Sequence, residues 1–398
     1  MRIKINNNFR NIKESYLFSD IASRVKAYEA SNPDAKIIRM GIGDVTLPLP
    51  QPVVTALVKA SNEMGVKETF RGYPPEYGYD FLRDSISTHY AVLGVSVDPS
   101  SIFVSDGAKS DLGNIVDILG DNRIVIPDPV YPVYVDSNLM SGHDIIFING
   151  NRDNGFLPSP SELIEKDIEG AIIYLCSPNN PTGAAYDKEG LTEWVDFAVK
   201  SGSLIIYDSA YEAFISDDNV PHTIYEIPEA YECAIEICSF SKFAGFTGLR
   251  CGWTVIPSSI KAGGTELAAL WKRRQATKFN GVSYPVQRAA EASLTDEGIK
   301  ALNANIEYYK KNASLIADLL DSKSIFYTGG KNSPYIWLEC PGGQSSWDFF
   351  DKLLNEAQIV GTPGEGFGKG GEGYFRLTAF GSYEATLEAV RRISNILE

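Results

Sequence analysis

Between residues 100 and 256 the chain returns again and again to short runs of Ile, Val and Leu: "SIFVS", "RIVIP", "DIIFI", "AIIYLC", "LIIYD", "AIEICS" and "CGWTVI". They are nearly continuous rather than alternating, which is the pattern of strands buried on both faces and hence of a largely parallel sheet. Between them "SDLGNIVDIL" and "KEGLTEWVDFAVK" read as helices that cover the sheet. The expectation is an α/β layer architecture with a mainly parallel, seven-stranded sheet.

Past this region the pattern changes. Ile299, Leu302, Ile306, Tyr309, Ala313, Ile316 and Leu320 recur at steps of three and four, one apolar stripe along a long helix. "SPYIWLEC", "SSWDFFDKLLNEAQ", "YFRLT" and a terminal helix from about residue 383 then suggest a smaller α+β domain. A length of 398 residues is in keeping with more than one domain. The expected division is an N-terminal arm with part of the small domain in 1–45, a large domain in 46–290 and a small C-terminal domain in 291–398.

Composition narrows the function. Hydrophobic residues make up 44% and charged residues 22%, so the chain can bury a large core. A formal charge of −15 argues against nucleic acid, which calls for a basic face, and against a membrane surface. The opening "MRIKINNNFRNIKESYLF" has no apolar core of a signal peptide, and no run is long enough to span a bilayer. Cys176, Cys233, Cys238, Cys251 and Cys340 lack C-x-x-C spacing and suit reduced core thiols, which points to the cytoplasm. His89, His143 and His222 are isolated, so no metal site is expected.

In open α/β sheets ligands bind beyond the carboxyl ends of the strands. Four polar groups fall there. "VSDGAKSD" turns through Gly107 and Ala108 into a helix near Lys109, an arrangement that offers free N–H groups to an anion. "CSPNNPTG" places Asn180 beside a proline-fixed turn. "LIIYDSAY" closes a strand on Asp208, followed by Tyr211; a carboxylate there needs a cation or hydrogen bonds. "CSFSKFAGFTGLRCGW" sets Lys242 among Ser239, Ser241 and glycines, with Arg250 downstream. Each alone is an ordinary turn, cap or surface lysine. Together they meet the needs of pyridoxal phosphate: an amine for imine formation, an anion cradle with a guanidinium fork, and a buried acid for the pyridine nitrogen.

The ordered set "SDGAK", "DPVYPVY", "SPNNPTG", "YDSAY", "SFSK" and "GLRCGW" resembles the aminotransferases of the aspartate-aminotransferase fold, that is, pyridoxal-phosphate-dependent transferases of fold type I. More narrowly, "SYLFSDI", "IRMGIGDVTLPLP", "TFRGYPPEYGYDFLR", "KFNGVS" and "TPGEGFG" resemble the LL-diaminopimelate aminotransferases along essentially the whole chain. "GYPPEYG" and "KFNGV" depart from that family's usual "GYGPEQG" and neutral residue before "FNGA", at Pro74, Tyr77 and Lys278. The resemblance implies that Lys242 binds the cofactor aldehyde and moves the substrate proton, and that Asp208 pairs with the ring nitrogen. Tyr211 and Asn180 would bond the ring oxygen, and Tyr131 would stack on the ring. Ser239, Ser241, Arg250, Gly107, Ala108 and the neighbouring Lys109 would surround the phosphate, with Tyr73 reaching in from a second subunit of a homodimer. Arg376 would clamp the substrate α-carboxylate. Tyr16, Gly43 and Lys109, with Glu76 and Asn280 of the second subunit, would read the distal end of the substrate.

One decoy and two rivals remain. "GFGKGG" matches the dinucleotide fingerprint G-x-G-x-x-G, but the strand-like "YFRLT" follows it where a helix is required. It reads instead as a loop kept slim so that substrate can approach Arg376. The rivals are an aminotransferase of the same fold acting on aspartate, aromatic or alanine-like substrates, and a ligand-sensing regulator, which would carry a basic winged helix.

Overall fold

In a computed structural model, which describes residues 3–12, 17–41, 43–166 and 168–397, every one of the seven apolar runs is a strand of one sheet. These are β1 (Ile102–Ser105), β2 (Ile124–Asp128), β3 (Ile145–Asn149), β4 (Ile172–Cys176), β5 (Leu204–Asp208), β6 (Ala234–Ser239) and β7 (Gly252–Val255). Their order across the sheet is β1-β7-β6-β5-β4-β2-β3. All neighbours pair in parallel except those of β7, which runs antiparallel to both β1 and β6. The central strands are buried on both faces, as the unbroken Ile and Val runs require: Ile173, Ile205, Ile206, Tyr207, Ile235 and Ile237 are all inaccessible to solvent or nearly so.

Glu236 interrupts one of those runs. It sits in the middle of β6 at 1% exposure and accepts hydrogen bonds from the Tyr90 hydroxyl (2.5 Å), the Thr223 hydroxyl (3.0 Å) and the Ile224 N–H (3.3 Å). Three donors make a buried carboxyl tolerable in a strand. Burial still pushes its pKa up to about 7.

Six helices frame the site and the second layer. α1 (Ala108–Asn114) follows β1, α2 (Pro132–Ser141) follows β2 and α3 (Lys188–Ser201) lies between β4 and β5. α4 (Phe240–Phe243) is a single turn after β6, α5 spans Asp296–Ser322 and α6 Tyr383–Ile396. α3 starts where the Asp187 carboxylate accepts from the Gly190 N–H and stops at Gly202 in the left-handed region. α5 is capped by Thr295, carries Asp296 and Glu297 in its first turn, and buries Leu302, Ile306, Tyr309, Ala313, Ile316 and Leu320. The stripe read from the sequence is its core face.

Two expected helices end early. "SDLGNIVDIL" is α-helical only to Asn114 and tightens to a 3-10 turn over Ile115–Ile118, just past Gly113, a poor helix former. "SSWDFFDKLLNEAQ" is helical over Ser346–Lys352 and widens into a π turn over Leu353–Ala357, with Leu353, Leu354 and Ala357 all buried there.

The second layer is an antiparallel sheet in the order β8-β9-β11-β10, made of β8 (Tyr327–Gly329), β9 (Tyr335–Glu339), β10 (Thr362–Pro363) and β11 (Tyr374–Thr378). Ile38–Arg39, from near the N-terminus, pairs in parallel with Ile359–Val360. Residues from both ends of the chain share this core: Leu17, Ile21 and Val25 pack in one cluster with Trp337, Phe375 and Ile393. This is the α+β layer expected after the long helix, and it sets Arg376 on β11 toward the main sheet. Among the described residues no helix is long and apolar enough to cross a membrane.

Candidate active site

The strand ends of the main sheet open into a cavity of about 370 Å³, within the range of small-molecule sites. Its walls bring together Lys109, Tyr131, Asn180, Asp208, Tyr211 and Lys242, with Gly43, Ala108, Ser239, Ser241, Arg250 and Arg376. Chain separations of more than 250 residues collapse to one wall because the residues from 108 to 250 lie at or just beyond the strand ends of the main sheet, while Arg376 reaches across from the middle of β11. The lining is electrostatically one-sided. Lys109, Lys242, Arg250 and Arg376 face two carboxylates, Asp44 and Asp208, in a chain that carries −15 in all. Such a cavity selects anions.

Lys242 lies on α4, immediately after β6, and its ammonium donates to the Gly43 carbonyl. Burial drops its pKa to about 8; the Asp44 charge opposes that, while Arg376 and Arg250 add to it. A lysine so placed reaches its nucleophilic neutral form near physiological pH.

Asp208, the last residue of β5, is 5% exposed. Its Oδ2 accepts from the Tyr134 hydroxyl at 2.6 Å and its Oδ1 from the Ala210 N–H at 3.0 Å. Burial raises its pKa, and those two bonds oppose the rise. Beside it the hydroxyls of Tyr211 and Tyr335 lie 2.7 Å apart. When Tyr335 donates, the Tyr211 proton is left to point elsewhere.

Arg376 is 1% exposed on β11. Its Nη1 donates to Asn180 Oδ1 at 2.6 Å and its Nη2 to the Gly41 carbonyl at 2.8 Å, while the guanidinium stands 4.4 Å from the Tyr335 ring centroid and 4.8 Å from that of Phe367. Its Nε–H, fully buried, has no partner among the described residues. A buried cation with, among the described residues, no carboxylate in ion-pair contact and one unused donor suits a ligand carboxylate. The bond to Arg376 also fixes Asn180, whose amide N–H groups remain as donors.

At the end of β1, Gly107 turns through φ +123° into α1. A side chain there would need that left-handed backbone, and its Cβ would stand 2.6 Å from Arg250 Nη2. Arg250 itself is left-handed, φ +65°, and donates to the Thr247 carbonyl at 3.2 Å and Ser241 Oγ at 3.4 Å. A non-glycine residue in that region costs about 1–3 kcal/mol, which surrounding structure must offset. The strain aims one guanidinium at the helix start, beside Ala108, Ser239 and Ser241.

Over its whole length the chain resembles known proteins. The family model for aminotransferase class I and II matches residues 35–393. The chain belongs to that family. It is 52% identical over 405 residues to the LL-diaminopimelate aminotransferases of Lachnospira eligens and Agathobacter rectalis, covering 98% of this chain and 99% of each relative. A solved structure titled L,L-diaminopimelate aminotransferase from Chlamydomonas reinhardtii superposes with a TM-score of 0.93 at 44% identity, covering 100% of both chains. The fold is that of the pyridoxal-phosphate-dependent transferases of fold type I, and the chain is an aminotransferase.

Among the residues singled out in the sequence, Tyr16 lies outside the described residues. Tyr73, Glu76 and Asn280 do not line this chain's cavity. Tyr73 is 88% exposed, Asn280 is exposed and Glu76 half-buried. Their two segments meet where Gly281 packs against Pro74 and Pro75.

The glycine loop is not the open approach expected of it. A Cβ at Gly366 would strike Leu17, one at Gly368 the Asp128 carboxylate, and one at Gly371 the Gly364 carbonyl. The loop is slim because it seats on protein, with the Gly370 N–H on Asp128 Oδ1 at 3.1 Å and the Val130 N–H on the Phe367 carbonyl at 2.8 Å.

Sequence reasoning missed Tyr134, Tyr335 and Asp44. Tyr134 had a signal, three residues after Tyr131 in "YPVY" at a helix start; Tyr335 read only as a strand residue. Among the described residues no three His, Cys, Asp or Glu side chains could hold a metal ion.

Proposed function

We propose that this chain catalyses LL-2,6-diaminopimelate:2-oxoglutarate amino transfer, interconverting tetrahydrodipicolinate plus glutamate and one water with LL-diaminopimelate plus 2-oxoglutarate in lysine biosynthesis. The observation that carries it is the convergence of Lys242, Asp208 and Arg376 on one cavity, in a chain half identical end to end to enzymes of that name. The donor set fits pyridoxal 5'-phosphate: a depressed lysine, a buried carboxylate at hydrogen-bonding depth, and an arginine beside a helix start. When bound, the cofactor supplies an aldehyde that condenses with amines and a ring that withdraws the electron pair of the substrate α-carbon.

The protein's own residues do the rest. Arg250, with Ser239, Ser241 and the Gly107–Ala108 turn, neutralises and orients the phosphate. Tyr131 covers the ring, while Asn180 and Tyr211 donate toward its phenolic oxygen. Asp208 holds a proton on the ring nitrogen, and Arg376 fixes the substrate α-carboxylate. Lys242 Nζ takes the α-carbon proton and returns it. Donor and acceptor use the same pocket in turn, so the kinetics are ping-pong. Glutamate release from LL-diaminopimelate and 2-oxoglutarate by purified protein tests the reading; no release overturns it.

The Gly107 turn should not tolerate a side chain. Gly107→Ala combines an unfavourable backbone with a methyl pressed on Arg250, a cost of about 1–3 kcal/mol. Titrating apoprotein with cofactor should show affinity lowered by about fivefold to a hundredfold at that cost. Unchanged affinity would remove Gly107 from the cradle.

The working form is a cytoplasmic homodimer with shared sites, in which Tyr73, Glu76 and Asn280 of each copy complete the cavity of the other. Their absence from their own chain's cavity supports this, as do an 88% exposed tyrosine and the meeting of the two segments. The five cysteines, all free and buried, suit a reducing compartment. Mixing inactive Lys242→Ala chains with inactive Asn280→Ala chains should restore part of the activity, because one site of each mixed dimer has every wild-type part. No recovery after verified subunit exchange would count against a shared site.

A further inference from the structure

We infer that Tyr134 is a positioning residue whose phenolic O–H holds the Asp208 carboxylate ionised and aimed at the cofactor's ring nitrogen. The inference rests on reading the cavity as a pyridoxal phosphate site.

Tyr134 is 1% exposed, in the first turn of α2, and its hydroxyl lies 2.6 Å from Asp208 Oδ2. Both ends of this contact are fixed. The ring stacks on Tyr174, centroids 5.4 Å apart at 23°, and meets Tyr131 edge-on at 6.1 Å and 88°. The carboxylate's other oxygen is held by the Ala210 N–H.

Direction of donation follows from the surroundings. Burial, and then the Asp208 charge, push the Tyr134 phenol well above its ordinary range, so the proton stays on the phenol. Asp208 therefore accepts from both protein neighbours and has only lone pairs to offer a cation. Cys176, its register partner on β4, and Tyr335 are further titratable groups that feel the Asp208 charge; burial keeps both protonated and neutral. Without the Tyr134 bond, burial would act against the carboxylate with one donor fewer. The proton shared with the ring nitrogen would then shift toward Asp208. Because Tyr131 is the expected ring cover, one helix start would set both the face and the nitrogen end of the cofactor.

The test uses Tyr134→Phe, which keeps the stacked ring and removes one hydrogen bond, in holoenzyme carrying cofactor labelled with nitrogen-15 at the ring nitrogen. The label's chemical shift should move from the protonated toward the neutral pyridine value, and kcat should fall roughly tenfold to a hundredfold with KM little changed, as expected for a lost bond to a charged group. Tyr174→Phe is the packing control, since the Tyr174 hydroxyl belongs to the same ring stack but, among the described residues, bonds no atom of Asp208; it should leave the shift in place. An unmoved shift in Tyr134→Phe, or an equal movement in Tyr174→Phe, overturns the inference while the cofactor reading stands. Wild-type protein that takes up no labelled cofactor overturns both.

Discussion

Lys242→Ala is expected to lose several orders of magnitude in turnover while keeping its fold. Removing a catalytic base alone typically costs ~10²–10⁴-fold. In the proposed mechanism the same amine would also supply covalent attachment of the cofactor, so two contributions would vanish together. The side chain is well suited to excision: its ammonium touches the Gly43 carbonyl, and its place in the half-buried turn α4 holds no packing role comparable to Phe240 beside it. Borohydride reduction of wild-type protein should fix the cofactor to the peptide containing Lys242. Finding it on Lys109 would sink the assignment.

The depressed pKa carries a pH prediction with a definite sign. Burial disfavours the ammonium, so the neutral amine that attacks an aldehyde becomes the major form above about pH 8 rather than above the usual lysine range. Covalent uptake of cofactor by apoprotein should therefore quicken as pH rises from 7 to 9 and level off beyond. A rate still climbing steeply at pH 10 would mean that the lysine is not depressed.

The legible part of this molecule was whatever a residue announces by local pattern. Unbroken Ile and Val runs gave seven strands, and the rule that ligands gather beyond strand ends puts Asp208, Asn180 and Ser239 in one place. The reversed direction of β7 was not legible, since "CGWTVI" looks like its neighbours and direction belongs to the connection, not the strand. Arg250 in the left-handed region has no sequence sign either, because arginine has no preference for that backbone and only the surrounding turn imposes it. Glu236 was visible as a letter in "AIEICS" but not as a satisfied buried acid, since its partners Tyr90 and Thr223 come from distant segments. The glycine loop was misread for the same reason: slimness shows in sequence, but what fills the space, here Asp128 and Leu17, does not.

Discrimination among amino donors should be as large as the effect of losing Lys242. LL-diaminopimelate carries an ammonium and a carboxylate at each end, so a site that accepts it must satisfy a second zwitterion beyond the reacting one. Four cations line the cavity, and in the proposed roles three have work elsewhere: Lys242 would react, Arg250 would meet the phosphate and Arg376 would meet the α-carboxylate. Lys109 is then the cation for a distal carboxylate, which 2-oxoglutarate and glutamate also possess. The distal ammonium belongs to the diamino substrate alone and is the part assigned to Glu76 of the second copy. The two residues should therefore separate. Lys109→Ala should harm both half-reactions, whereas Glu76→Gln should harm transfer from LL-diaminopimelate and spare transfer from glutamate, with the bound cofactor's spectrum unchanged. Sites built from buried, paired polar groups reject analogues that leave those groups unpaired, by factors of up to ~10⁴–10⁵. Aspartate, alanine and lysine should be correspondingly poor donors, and meso-diaminopimelate, inverted at the distal centre, should fail with them. The measurement is kcat/KM for each donor with 2-oxoglutarate, followed as glutamate formed. If aspartate or phenylalanine outruns LL-diaminopimelate, the chain is a different aminotransferase of this fold, and the roles given to Lys109 and Glu76 fall with the assignment.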